Sequence, residues 1–272
     1  MCIRDSNIAI KGNFDDCQNL VKAMFNDKKF SKAINMSGVN SINWARIIAQ
    51  AVYYFYAYFK VGSGQPLSFS VPTGNFGDIY AGYLAKKLGL PIDKLIVATN
   101  KNDILHRAIS GGDYTQRQVE ETNTPSMDIQ IASNFERLLY DVKDCNSEVI
   151  KEVMSKIKSN SFIIDNGDLN KINKNFTSEM LDEKETVEMI KQINDEYQII
   201  VDPHTAVGIG AVKKLRLEKN CVVLSTAHPC KFPQAIQDAI SKTEDLPSSL
   251  GYINGRKEKF EVLPNDIEKV KD

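Results

Sequence analysis

The stretch 68–82 (SFSVPTGNFGDIYAG) constrains the fold of this chain more than any other part of the sequence. Residues 67–71 are apolar and β-favouring, which predicts a short buried strand. Gly74 and Gly77 follow it and allow a turn with positive φ or a close approach to a ligand. Apolar residues at helical spacing over 79–88 then predict a helix. The stretch is therefore predicted to form a strand, a turn and a helix.

This predicted turn is a good anion-binding site, because the unpaired N–H groups of the first helical turn and the helix dipole both favour negative charge. The expected ligand is a phosphate. The turn is not a Walker A loop, since no Gly-Lys-Ser/Thr follows, and it is not G-x-G-x-x-G. A tight connection between strand and helix that binds no ligand would contain the same two glycines, so that alternative stays open.

The composition indicates a globular protein that acts on a small molecule. The chain has 272 residues, 42% of them hydrophobic, and a formal net charge of −1. Scattered lysines without a basic stripe suit neither a nucleic acid nor a membrane surface. The cysteines are widely spaced and the histidines lie in distant segments, so no disulfide framework and no metal site is expected. We find no targeting or membrane-spanning pattern and expect a cytoplasmic protein, whose oligomeric state the sequence leaves open.

Strand and helix patterns alternate from residue 7 onward, which is typical of an α/β fold with a mainly parallel sheet covered by helices. Further strands are predicted at 8–10, 95–99, 197–201 and 221–225. The longest apolar helix begins near residue 44, and its aromatic-rich pattern predicts burial on most sides.

The motif VNSINWAR at 39–46 opens this long helix. Ser41 or Asn43 is expected as its N-cap. Arg46 lies one turn in, near the positive end of the helix dipole, where a cation is unfavourable unless an anionic ligand compensates. A cap followed by a surface arginine is the alternative that needs no ligand.

His204 and Thr226 are two further candidate functional residues. His204 lies in the first turn of a predicted helix, where a structural hydrogen-bonding role is favoured over a catalytic one. Thr226 follows the strand predicted at 221–225, at the carboxyl edge of the sheet where α/β proteins collect their ligands.

Together these motifs resemble the threonine synthase family, in the stretches 39–46, 71–91, 124–129, 133–138 and 226–232. The resemblance implies a tryptophan-synthase-β-like (type II) fold that binds pyridoxal 5′-phosphate (PLP), here incomplete at the N-terminus. Residues 7–60 would be the end of the smaller domain with the interdomain helix, and 61–272 the larger, PLP-binding domain. Enzymes of this family convert O-phospho-L-homoserine and water to L-threonine and phosphate.

The resemblance also implies roles for individual residues. Thr226 would hydrogen-bond the pyridine nitrogen of PLP, and Asp78 would cap the following helix without pointing at the phosphate. The remaining roles fall into two sets: the cup for the PLP phosphate would be Gly74, Asn75, Phe76, Gly77 and Asp78, and the substrate anion would be bound by Ser41, Asn43 and Arg46.

No catalytic residue is assigned. The family holds PLP on a Schiff-base lysine in the N-terminal part of its chain, and no lysine here resembles it. Lys231 is the one lysine near the expected position of the ring, but its family counterpart is not the Schiff-base residue. We therefore expect this chain alone to be inactive. Two alternatives remain, another type II PLP lyase acting on a phosphorylated or hydroxylated amino acid, and a catalytically silent fragment.

Overall fold

The computed structural model describes residues 7–12, 14–62, 64–160, 162–253 and 255–272. They form two compact units, one of the described residues up to Gly38 with Leu246–Asp272, the other of Val39–Asp245. This division differs from the expected boundary near residue 60. The reason is that the helix Trp44–Val61 packs on the helix Gly77–Lys87 within the second unit, where a Cβ on Gly82 would lie 2.5 Å from the Tyr54 ring.

The strands in the described part of the chain, in chain order, are β1 (Ile8–Lys11), β2 (Leu67–Pro72), β3 (Ile92–Thr99), β4 (Phe176–Met180), β5 (Cys221–Val223) and β6 (Glu261–Pro264). The α-helices are α1 (Phe14–Asn26), α2 (Lys28–Ala33), α3 (Trp44–Val61), α4 (Gly77–Lys87), α5 (Ile104–Gly111), α6 (Phe135–Val142), α7 (Ser147–Lys158), α8 (Asn166–Asn173), α9 (Glu183–Tyr197), α10 (Pro203–Leu215), α11 (Pro233–Ile240) and α12 (Ile267–Lys271).

The larger unit contains a parallel sheet with strand order β4-β3-β2-β5. Its alternation with helices confirms the predicted α/β class. The predicted strand at 197–201 is wrong: Gln198 adopts a left-handed conformation that ends α9, and 199–201 continue as irregular chain to α10. Within the described part of the chain, the apolar run there has no neighbouring strand to pair with, whereas β4, which periodicity did not indicate, pairs with β3.

Helices cover both faces of this sheet. Along β3, Leu95 and Val97 belong to one apolar cluster with α4 and α5, while Ile96 and Ala98 belong to another with Val207 of α10. Successive strand residues point to opposite faces, so a strand buried on both sides is apolar at every position. The carboxyl ends of β2 and β5 therefore emerge between packed helices.

Burial of α3 on most sides was predicted, and this is wrong for the described chain. Ile47, Ala51 and Tyr54 are buried on one face. Val52 and Phe59 are 61% and 72% exposed. Apolar composition alone does not say which faces of a helix meet a neighbour, so only the stripe that packs on α4 is buried.

The smaller unit pairs β1 with β6 in parallel and carries α1, α2 and α12. Lys271 Nζ lies 2.8 Å from Asp27 Oδ2, which joins α12 to the start of α2. Within the residues that the structure describes, no helix is long and apolar enough to cross a membrane.

Candidate functional site

The turn between β2 and α4 is built around the Asn75 side chain. Asn75 Oδ1 accepts a hydrogen bond from Gly77 N at 2.9 Å, which satisfies one of the donors at the start of α4. Phe76, the residue before the helix, has φ +66° and makes no side-chain cap bond. Asp78 was expected to be the cap; this is wrong, because Asn75 already accepts from the first helical N–H and Asp78 lies inside the first turn.

The two glycines are required by close packing rather than by positive φ. A Cβ on Gly74 would lie 2.1 Å from the Ser126 carbonyl oxygen. A Cβ on Gly77 would lie 2.9 Å from Ser41 Cβ. The left-handed residue is instead Phe76, and neither glycine has positive φ. The glycines therefore let two distant segments approach the turn.

The Phe76 side chain points into the core. It is 1% exposed and its ring packs against Phe135 and Phe176, with centroid separations of 5.2 and 5.6 Å. This anchor explains how a non-glycine residue is held in the left-handed region, since burial of an aromatic ring stabilises far more than the conformation costs. Only the backbone of Phe76 is left to contribute to a ligand site.

Unpaired donors remain at this turn. Among the residues that the structure describes, none accepts a hydrogen bond from the N–H groups of Asn75, Phe76 or Asp78. The N–H of Gly77, which was expected to belong to the same set, is already bonded to Asn75. Orphan N–H groups at a helix N-terminus favour an anion.

The segment before α3 is bound to this turn. Ser41 Oγ accepts hydrogen bonds from Asn75 Nδ2 at 2.9 Å and from Asn134 Nδ2 at 3.0 Å. Arg137 donates to the Ile42 carbonyl oxygen at 3.1 Å. Ser41 is thus a direct neighbour of the turn, although it does not line the cleft described below.

Asn43 and Arg46 lie at the start of α3. Of the two predicted N-caps, Ser41 and Asn43, the N-cap is Asn43, and its Oδ1 accepts from Ala45 N at 3.0 Å. Arg46 is exposed and lines a cleft together with Gln50 and Tyr53. Residues four and seven positions apart share a helix face, so these three side chains form one wall.

This cleft brings the separate motifs together. It has a volume of about 550 Å³, and it is also lined by Ser225, Thr226 and Lys231, which follow β5 in the chain. Of the predicted phosphate cup, three residues line it, namely Gly74, Asn75 and Asp78. The cleft lies at the carboxyl edge of the sheet, the expected position for a ligand in this class of fold.

Asp78 gives the cleft an unusual electrostatic feature. Burial raises the pKa of its carboxyl from 3.8 to about 6, and a hydrogen bond from the Tyr54 hydroxyl lowers it in part. Tyr54 Oη lies 3.2 Å from Asp78 Oδ1 and 2.8 Å from the Asp78 carbonyl oxygen. Burial also raises the pKa of Tyr54, so this hydroxyl remains a donor at neutral pH. A buried carboxylate beside an anion-binding turn is costly when ionised.

His204 has the structural role that its position in the sequence favoured. It is 3% exposed, and its Nδ1 lies 3.0 Å from Asp202 Oδ1. With the Nδ1 proton donated to that carboxylate, Nε2 can accept from Ser126 N, 3.4 Å away. His204 therefore connects the start of α10 to the segment that packs on Gly74.

Sequence reasoning missed several residues that line the cleft. Gln50 and Tyr53 could have been found, since they follow Arg46 at helical spacing, but Ser126 and Ser225 carry no local signal. Gln50 Oε1 is buried with no hydrogen-bond partner among the described residues. In the same part of the chain, no group of His, Cys, Asp and Glu is arranged to hold a metal ion.

Comparison with known proteins supplies the context for this cleft. The family model described as "Threonine synthase, C-terminal" matches residues 205–272. Threonine synthase of Pseudomonas aeruginosa is 46% identical over 97% of this chain and 57% of its own length. The Saccharomyces cerevisiae enzyme is 41% identical over 99% of this chain and 59% of its own length. A crystal structure of PLP-bound threonine synthase from Brucella melitensis superposes with a TM-score of 0.88 at 46% identity, covering 98% of this chain and 58% of that one.

Over nearly its whole length, this chain is similar to threonine synthases. It spans only 57% and 59% of the length of the two curated threonine synthases above. The segment matched by the threonine synthase family model contains the wall of the cleft with Thr226 and Lys231, whereas the turn 74–78 and Arg46 precede that segment.

Proposed function

We propose that this chain supplies the cofactor-phosphate and substrate-anion sites of a PLP-dependent threonine synthase, which converts O-phospho-L-homoserine and water to L-threonine and phosphate. One observation supports this above all others. The phosphate-type turn, the Arg46 guanidinium and the Thr226 side chain, which come from three distant motifs, line a single cleft.

The residues at the turn fit a phosphate group. The unpaired N–H groups of Asn75, Phe76 and Asp78 lie at the N-terminus of α4, where donors and dipole act together on an anion. The cleft of about 550 Å³ is within the range of roughly 300–1,000 Å³ that is usual for small-molecule sites. In this proposal these N–H groups hold the PLP phosphate. The backbone N–H of Asp78 takes part, but its side-chain carboxylate does not point at the phosphate.

Thr226 would hold the other end of PLP. Its hydroxyl would hydrogen-bond the pyridine nitrogen, and a neutral partner leaves that nitrogen unprotonated. When bound, PLP serves as the electron sink of the reaction, and the protein contributes orientation and electrostatics.

Arg46 would bind the anionic groups of the substrate in the cleft, and Asn43 and Ser41, which precede it in the chain and do not line the cleft, are proposed to complete this site. The planar guanidinium of Arg46 suits bidentate contact with a phosphate or carboxylate. Its position one turn into α3 becomes favourable once an anion is present, because the ligand offsets the repulsion from the helix dipole. Loss of such a charge-assisted contact costs roughly 1.5–3 kcal/mol, on the order of tenfold to a hundredfold in affinity.

The phosphate site is tested by comparing PLP with pyridoxal, which lacks the phosphate. Trp44 is the single tryptophan of the chain and begins α3 two residues before Arg46, so quenching of its fluorescence reports binding in the cleft. We expect PLP to bind at least about tenfold more tightly than pyridoxal, and inorganic phosphate to compete with it. Equal affinity for PLP and pyridoxal would remove the phosphate cup from the proposal.

The substrate-anion site is tested with Arg46→Ala and Arg46→Lys. Both variants should weaken the binding of O-phospho-L-homoserine to the PLP-loaded protein, since lysine keeps the charge but loses the planar fork. PLP affinity itself should change little. Normal substrate binding in Arg46→Ala would place the anion site elsewhere.

The chain by itself is proposed to be inactive. Lys231 is the one lysine that lines the cleft among the described residues, and its ammonium is exposed, 5.9 Å from the centroid of the Phe232 ring. A lysine that binds PLP covalently must lose its proton near neutral pH, which requires burial or a cationic neighbour. Borohydride treatment of the PLP-loaded chain should therefore leave no stoichiometric lysine adduct. An adduct that disappears in Lys231→Ala, together with threonine production, would contradict this.

A further inference from the structure

The buried carboxylate of Asp202 lies between two walls of the cleft. Asp202 is the N-cap of α10 and is 1% exposed. Its Oδ1 accepts from His204 N at 2.9 Å and faces His204 Nδ1 at 3.0 Å. Its Oδ2 accepts from the Thr205 hydroxyl. Each oxygen of this one carboxylate is thus bonded to a different side chain.

The first of these side chains connects Asp202 to the phosphate end of the cleft. His204 Nε2 accepts from Ser126 N at 3.4 Å, and the Phe232 ring packs on the imidazole with a centroid separation of 4.9 Å. The carbonyl oxygen of Ser126 occupies the space where a Cβ on Gly74 would lie. Displacement of His204 would therefore release the segment that packs against the turn.

The second side chain connects Asp202 to the segment that contains Thr226. Thr205 is 5% exposed, and its Oγ1 lies 3.4 Å from Ser225 Oγ. The Thr205 hydroxyl is therefore within donating distance of both Asp202 Oδ2 and Ser225 Oγ, and the carboxylate oxygen is the nearer acceptor. Ser225 directly precedes Thr226, and both line the cleft.

The N-terminal half of α10 is fixed to the sheet by a hydrogen bond and by close packing. Ser70 Oγ on β2 donates to the Gly208 carbonyl oxygen at 2.7 Å. A Cβ on Gly208 would lie 2.9 Å from Val223 Cγ1 and 3.2 Å from Pro72 Cγ, so this helix packs directly on the ends of β2 and β5. A group fixed at the first turn of α10 can therefore set the positions of its neighbours.

We infer that Asp202 is a positioning residue that fixes the distance between the phosphate-binding turn and Thr226, one carboxylate oxygen acting through His204 and Ser126 and the other through Thr205 and Ser225. The inference rests on the proposed function only for what the two ends bind. This positioning role differs from a capping role, which would stabilise α10 without acting selectively on the segment of Ser126 or on that of Ser225.

The chain offers a matched control in α9. Asp182 caps that helix and accepts from Glu185 N at 2.8 Å, and the buried Thr186 donates to the Asp182 carbonyl oxygen at 2.8 Å. Asp182→Asn and Thr186→Val therefore remove a cap charge and a buried first-turn hydroxyl far from Thr226 in the sequence, in a part of the chain that does not line the cleft.

Hydrogen exchange on the chain tests the positioning itself. Thr205→Val should speed exchange in 224–228 and not in 124–128, His204→Asn should do the reverse, and Asp202→Asn should affect both segments. Asp182→Asn and Thr186→Val should affect neither. If Thr205→Val and Thr186→Val change the two segments alike, or if Thr205→Val changes neither, the inference fails. Thr205→Val and His204→Asn each remove only one of the two connections from Asp202. They therefore keep the test decisive even if Asp202→Asn does not fold.

Ligand binding tests the consequence. Thr205→Val should lower PLP affinity about tenfold while inorganic phosphate affinity stays within about twofold, because only the ring end moves. His204→Asn should weaken both ligands. If Thr205→Val lowered the affinity for PLP and for inorganic phosphate equally, the inference that His204 and Thr205 act on separate segments would be overturned. If the variants show the expected exchange pattern but the wild-type chain binds neither ligand, the proposed function is refuted and the positioning role of Asp202 remains supported.

Discussion

Replacing Asp78 by asparagine should make this protein more stable at neutral pH. The Asp78 carboxyl is buried beside the turn at the start of α4, and burial raises its pKa from 3.8 to about 6. Asparagine has nearly the same shape and no charge, and its side-chain oxygen can still accept the hydrogen bond that Tyr54 Oη makes at 3.2 Å. The substitution therefore removes the desolvation cost and keeps the contact.

The magnitude follows from the pKa. A rise from 3.8 to about 6 is a shift of ~2 pH units, and each unit corresponds to about 1.4 kcal/mol, so the ionised carboxylate costs on the order of 3 kcal/mol. The folded state holds this proton more tightly than the unfolded state does. The contribution of Asp78 to stability should therefore be highest below the unfolded pKa of 3.8, fall as the pH rises from there to about 6, and stay lowered above it.

Urea unfolding at pH 4, 5, 6 and 7.5 provides the measurement. The free energy of unfolding of Asp78→Asn should exceed that of the wild type by up to about 3 kcal/mol at pH 7.5, and the difference should close near pH 4. Glu148→Gln is the control, because Glu148 is an exposed carboxylate on α7 with 78% side-chain exposure and should change stability by less than about 0.5 kcal/mol. A destabilised Asp78→Asn, or a difference that does not vary with pH, would refute the reasoning.

Further substitutions test the turn and the cleft. Gly74→Ala should destabilise the protein by roughly 1–3 kcal/mol and weaken PLP binding, since its Cβ would lie 2.1 Å from a backbone oxygen. Gly111→Ala is the control and should do neither, because a Cβ there would meet no neighbouring atom within 4 Å. Equal unfolding midpoints of the two variants would contradict this. Gln50→Leu should leave stability unchanged or raise it by about 1–3 kcal/mol, because it removes a buried acceptor without a partner, and should weaken substrate binding; a stability loss would show that Gln50 is satisfied in the apo protein. Thr226→Val should alter the absorbance spectrum of bound PLP while shifting the unfolding free energy by less than about 0.5 kcal/mol, as its side chain is exposed; an unaltered spectrum would remove its contact with the ring.

Local sequence patterns determined the parts of this protein whose structure depends on nearby residues. The strand predicted at 67–71 is β2, Leu67–Pro72, and the helical spacing over 79–88 marks α4. Asn43 caps α3 because a short polar side chain before an apolar helix satisfies its first donors wherever the helix packs. The alternation of such units was enough to predict the parallel α/β class.

Only the tertiary structure decided which surfaces and segments meet. The apolar run at 197–201 has the composition of a strand but no partner strand among the residues that the structure describes, and α3 buries only the stripe that faces α4. The need for glycine at position 74 comes from the carbonyl oxygen of Ser126, and the raised pKa of Asp78 comes from burial. Likewise, the two oxygens of Asp202 act on segments that begin near residues 126 and 225. A sequence pattern indicates which backbone conformation a segment prefers and which of its side chains share a face. The distances between segments and the burial of a charged group depend on residues far apart in the sequence, so they are set only when those residues pack together.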